Sequence, residues 1–67
     1  MKMYTTGKLK LLRKQYKYTV YDMASMLDIT PSYYSQIENQ KRKLYYNMAI
    51  KIANIFHKTP DQVFYEK

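Results

Sequence analysis

The sequence contains no cysteine, no tryptophan, one glycine and two prolines. Without cysteine there is no disulfide framework and no thiolate metal site, so packing alone must stabilise the fold. That is demanding for 67 residues, because a short domain buries a smaller share of its surface than a long one. So few glycines argue against a sheet protein with many tight turns and favour helices joined by short connections. No apolar run approaches the roughly 18–20 residues of a membrane span, and residues 1–6 lack the apolar stretch of a secretory signal. A soluble, cytoplasmic protein without a membrane partner is therefore expected. Acids are also scarce, five against twelve Lys and Arg, for a formal charge of +7. A small domain with that field seeks polyanions, although charge alone does not separate DNA from RNA or an anionic membrane. There is no Cys–His pair, no glycine-rich phosphate loop and no paired carboxylates, so neither an enzyme nor a cofactor is expected. His57 stands alone near a helix end and reads as structural or exposed; no metal is expected.

Hydrophobic residues make up 46% of the chain, enough for one core, and their spacing assigns five helices in a single domain, with its core at 6–65. Both prolines follow a threonine, in Thr30-Pro31 and Thr59-Pro60. Threonine caps a helix N-terminus well, and proline fits the first helical position, where its missing N–H is not needed. Gln62 adds the capping-box position after Thr59, and Thr19 with Asp22 marks a third start. Leu9, Leu12 and Tyr16 then define a first helix over 6–16, and Val20, Met23, Ala24 and Leu27 a second over 19–27. Residues 28–30 make a turn before a third helix over 31–38, with Tyr34 and Ile37 facing inward. A basic loop over 39–44 leads to a fourth helix over 46–57, marked by Tyr46, Ala49, Ile52, Ala53 and Phe56. Val63 and Phe64 anchor a fifth over 60–65.

Two short helices, a tight turn and a following basic loop suggest a helix-turn-helix, in which the second helix enters the major groove of duplex DNA. With Tyr34 and Ile37 inward, helical spacing turns Ser32, Tyr33 and Gln36 outward as candidate base readers. The Gln36 amide can bond N6 and N7 of adenine together, Ser32 can donate or accept, and Tyr33 can meet a thymine methyl or a phosphate. Lys41, Arg42 and Lys43 follow directly, where backbone phosphates would lie. Read blandly, the polar residues are only a solvated face and the nine tyrosines only a coding bias.

From Leu9 to Phe64 the sequence resembles the phage-repressor type of helix-turn-helix, the Xre/Cro-like family. The likeness lies in four segments taken in order. They are Leu-Lys-Leu-Leu-Arg at 9–13, Thr-Val-Tyr-Asp-Met-Ala-Ser-Met-Leu at 19–27, Thr-Pro-Ser-Tyr-Tyr-Ser-Gln-Ile-Glu-Asn at 30–39, and Ile52 to Phe64. The resemblance implies a compact all-α five-helix domain of the lambda-repressor-like type. It places Thr30, Pro31, Ser32 and Gln36 at or near DNA and Asn39 on a phosphate, and it pairs Arg13 with Glu38 in a partly buried ion pair. It further implies a nucleoid-associated bacterial or phage transcriptional regulator, a homodimeric repressor on a palindromic site. An antitoxin, or another protein-interaction module that binds a partner protein and its own promoter, is the alternative reading, and non-specific nucleic-acid binding a third. Four positions depart from the family. Val20 replaces an expected glutamine that would contact a phosphate. Asp28 replaces the turn glycine and tolerates left-handed geometry less well. Gln40 replaces the glycine after the reading helix, so that exit is free to differ in shape, and Tyr34 is bulky for its core position.

Overall fold

The computed structural model describes residues 3, 4 and 6–66. The elements are β1 (Met3–Tyr4), α1 (Leu9–Gln15), α2 (Val20–Leu27), α3 (Pro31–Glu38), α4 (Tyr46–Ile55), α5 (Pro60–Phe64) and β2 (Tyr65–Glu66). The fold is all-α, with five helices around one core and a two-residue antiparallel ribbon joining the chain's ends. In that ribbon Tyr4 pairs with Tyr65 and Met3 with Glu66. Two-residue strands carry no periodicity, so the ribbon was not foreseen. It also corrects the fifth helix, which stops at Phe64 because Tyr65 turns extended (φ −81°, ψ 126°).

The threonines cap as their positions require. Thr19 and Thr59 form reciprocal capping boxes with Asp22 and Gln62, and the Thr30 hydroxyl accepts from the Tyr33 N–H at 3.1 Å ahead of Pro31. Each satisfies amide donors that the first helical turn leaves open. The first helix lacks such a cap at Lys8 and begins at Leu9, not at residue 6. Thr6 is buried instead, with its carbonyl accepting from the Leu9 N–H at 3.1 Å. The fourth helix ends at Ile55, two residues short of the expected limit.

The core comprises Leu9, Met23, Ala24, Leu27, Tyr34, Ile37, Ala49, Ile52, Ala53, Phe56, Val63 and Phe64. Tyr46 does not belong to it and is 64% exposed, so the inward stripe of α4 starts at Ala49. Tyr16 is not among the buried residues either, at 39% exposure, yet its ring meets Phe56 edge-on at 4.9 Å and its hydroxyl donates to the Phe56 carbonyl at 3.3 Å. That contact joins the ends of α1 and α4.

Four helices end alike, and none ends with glycine. Lys17, Asp28, Gln40 and His57 hold positive φ of 61°, 59°, 61° and 58°. In each case the next amide reaches back to close the helix: Tyr18 N–H to Arg13 O, Ile29 to Ala24, Lys41 to Gln36 and Lys58 to Ala53. These are the 6→1 bonds of a Schellman ending, which supply partners for the last carbonyls. Asp28 and Gln40 thus adopt the conformation a glycine would favour. His57, the lone histidine, is exposed at one of these ends.

Candidate nucleic-acid interface

The candidate interface comprises α2, the turn over 28–30, α3 and the loop over 39–44. The inner side of α3 is fixed by hydrophobic burial, with Tyr34 and Ile37 at 0% and 1% exposure. Its C-terminal end is fixed by charge. Arg13 Nε donates to Glu38 Oε2 at 2.9 Å and Nη2 to Oε1 at 3.0 Å, a two-pronged pairing. Arg13 Nη1 also donates to the Tyr18 carbonyl at 2.9 Å, and the Thr6 hydroxyl to the Glu38 carbonyl at 3.2 Å. Forked pairing of guanidinium and carboxylate gives direction as well as energy. Burial opposes ionisation of Glu38, but the Arg13 hydrogen bonds and charge, together with the nearby Tyr34 hydroxyl and Lys10, outweigh it and hold the carboxyl below its ordinary range. The same hydrogen bonds raise Arg13 further.

The Tyr34 hydroxyl lies in the neighbourhood of this pair and is buried without a hydrogen-bond partner. Burial, with Glu38 nearby, pushes its pKa far above the usual tyrosine value, so it stays protonated. The bulk that made Tyr34 unusual for its position is accommodated, since the ring is completely enclosed.

The outer side of α3 differs. Ser32 is exposed and Gln36 half-buried, and at a separation of four they share one stripe. Tyr33 is not fully outward, as the sequence spacing suggested. It is half-buried and packs against the core, and the Arg42 guanidinium lies over its ring 5.0 Å from the centroid. Arg42 Nε also donates to Gln36 Oε1 at 2.8 Å. Tyr33, Gln36 and Arg42 therefore form one cluster, which no spacing rule would have found because it depends on the loop's path.

Lys41 and Lys43 are exposed beside this cluster, with Lys43 Nζ 5.5 Å from the centre of the Tyr45 ring. Thr30 uses an acceptor site of its hydroxyl for the cap, which leaves the hydroxyl hydrogen to donate elsewhere. Pro31 is exposed at the same helix end. Asn39 folds back, its Nδ2 donating to the Ser35 carbonyl at 2.9 Å and hydroxyl at 3.3 Å. A phosphate contact would require it to exchange one of these bonds. Val20, at the departure in α2, is half-buried against the core rather than offered to a ligand. Among the described residues no group of three His, Asp or Glu gathers as a metal site, and no helix is long and apolar enough to cross a membrane.

A family model described as a helix-turn-helix domain matches residues 6–64. The chain belongs to the helix-turn-helix domain family. No curated protein matches it. Membership makes a DNA-binding regulator the functional class, and in such domains the second helix of the motif enters the major groove. In this chain the second helix of the motif is α3.

Proposed function

We propose that the domain is a sequence-specific transcriptional regulator of the Xre/Cro-like kind, acting as a homodimeric repressor on a palindromic operator. The observation that carries this reading is the division of α3 into a locked inner side and a polar outer stripe beside a basic loop. Ser32 and Gln36 read base edges, with Tyr33 at their margin. Thr30, Pro31, Asn39, Lys41, Arg42 and Lys43 meet the DNA backbone. Base contacts carry the sequence information, and phosphate contacts carry register and much of the affinity.

A second copy is required by reach. Eight residues of helix span only about 12 Å, which covers few base pairs, whereas paired reading helices about 34 Å apart cover two half-sites. Val63 and Phe64, an obvious apolar candidate for the dimer contact, are 1% and 0% exposed within their own core. The contact lies elsewhere, with the ribbon joining the chain's ends a candidate.

Selection from a random duplex pool tests the proposal. Enrichment of an inverted repeat with half-sites one helical turn apart is the expected outcome. Recovery of unenriched sequences would leave only non-specific binding. Capture of a single half-site would remove the dimer.

A further inference from the structure

We infer that Arg42 is a specificity-determining residue: it fixes the Gln36 amide so that the pair reads guanine rather than adenine. The inference rests on the proposed reading of DNA by α3. A glutamine that recognises adenine needs both ends of its amide at the base edge, the oxygen accepting from N6 and the nitrogen donating to N7. Here Arg42 takes one of the oxygen's two acceptor sites and sets the direction in which the carbonyl faces. Arg42 has no acceptor atoms, so its 2.8 Å contact with Gln36 assigns Oε1 to the arginine side. Nε2 is left as the free end of the amide, and it carries two donors and no acceptor.

Three further features hold this arrangement. The Arg42 guanidinium is covered on one face by the Tyr33 ring. That ring is itself half-buried and packed against the core, so it is a fixed shelf. The loop starts from a defined point, because the Lys41 amide donates to the Gln36 carbonyl at 2.8 Å. Arg42 engages Gln36 through Nε, so its two terminal NH2 groups remain as further donors. With the Gln36 carbonyl turned toward Arg42, the pair presents chiefly donors to the groove: Nε2 of Gln36 and the terminal NH2 groups of Arg42. Among major-groove edges, guanine offers two acceptors, O6 and N7, whereas adenine places its N6 amine against the donor. An adenine at this step would set donor against donor and leave polar groups unpaired.

The experiment is selection from a random duplex pool with the full chain and its variants. The base that Gln36 reads is the column of the wild-type motif that flattens in Gln36→Ala. Guanine is expected in that column for the wild type. Arg42→Ala should move it to adenine, as the freed amide regains both ends, while neighbouring columns stay unchanged. Tyr33→Phe should keep guanine, and Tyr33→Leu should weaken the preference. Because Arg42 is exposed, its replacement leaves the core intact, which circular dichroism checks. A wild-type motif with adenine in that column overturns the inference. So does an Arg42→Ala motif of unchanged shape with uniformly lower affinity, the behaviour of a plain phosphate contact. Neither result touches the proposed function, whereas a wild-type pool without any motif overturns both.

Discussion

The two sides of α3 are made by opposite means. The inner side is closed by Tyr34, Ile37 and the forked Arg13–Glu38 pair, with 2.9 and 3.0 Å bonds. The outer side is polar and half-open, and its order comes from one exposed hydrogen bond and one cation over a ring. Buried and exposed interactions differ several-fold in what their removal costs. The difference teaches a division of labour. Under the proposed reading, changes on the inner side should act on stability and therefore on all DNA alike, whereas changes on the outer side should act on which sequence is bound.

The largest effect should come from breaking the inner side. Arg13→Ala leaves the Glu38 carboxylate buried and unpaired and should lower unfolding stability by about 3–5 kcal/mol, measured by urea denaturation. A domain of this length holds only about 0.05–0.15 kcal/mol per residue, so much of the variant would be unfolded. A loss below about 1 kcal/mol would mean that the pair is no lock. The pair should also set the acid limit. A carboxyl whose folded-state pKa is depressed contributes stability that is full above its unfolded value and is lost as pH falls through the folded one. Wild-type stability should therefore decline below about pH 4.5. Glu38→Gln should be less stable at neutral pH but show a shallower acid decline.

The outer side should fail differently. Gln36→Ala should cost roughly 1–3 kcal/mol on the cognate operator and almost nothing on random duplex. Unfolding stability should stay within about 0.5 kcal/mol of wild type. Lys41→Ala should instead weaken all duplexes and lower the salt slope by about one. Equal losses for Gln36→Ala on both DNAs would erase the contrast between the two sides.

The contrast was only partly legible in the sequence. Helix starts were readable because Thr19, Thr30 and Thr59 combine a capping side chain with a following proline or a partner three residues on. Helix ends were not, because Lys17 and Gln40 are residues that rarely take positive φ. Inward Tyr34 and Ile37 followed from spacing. Arg13 and Glu38 lie 25 apart, and only the family resemblance joined them. Ser32 and Gln36, four apart, were assigned to one stripe by spacing alone, and the structure has Ser32 exposed and Gln36 half-buried. The half-buried state of Tyr33 and its union with Arg42 were hidden, since both depend on a loop whose path no periodicity encodes.

Between the sides lies a residue of intermediate consequence. The Tyr34 hydroxyl is buried without a partner, a situation that costs stability rather than supplying it. Tyr34→Phe should leave the core volume intact and raise unfolding stability by up to about 1 kcal/mol, with operator preference unchanged. A loss of that size would show that the hydroxyl supports the Arg13–Glu38 pair and belongs to the lock.

The smallest effect should come from the helix ends, and it tests where the two sides meet. A residue other than glycine in the left-handed region costs roughly 1–2 kcal/mol. Glycine relieves that cost but adds about 0.4–1 kcal/mol of unfolded-state entropy. Lys17→Gly, Gln40→Gly and His57→Gly should each therefore gain only about 0.5–1 kcal/mol, a shift of a few degrees in Tm for a domain this small. Asp28→Gly should gain less, because aspartate visits this region more readily. Gln40 carries the sharper test, since its turn delivers the Lys41 amide to the Gln36 carbonyl and so sets the path to Arg42. Gln40→Gly keeps that turn and should leave the selected motif unchanged. Gln40→Val opposes positive φ with a branched side chain, and it should both destabilise the domain and blur the Gln36 column. If Gln40→Val were destabilised with its motif intact, the loop would not transmit backbone geometry to the reading face, and the outer side would owe its order to Tyr33 and Arg42 alone.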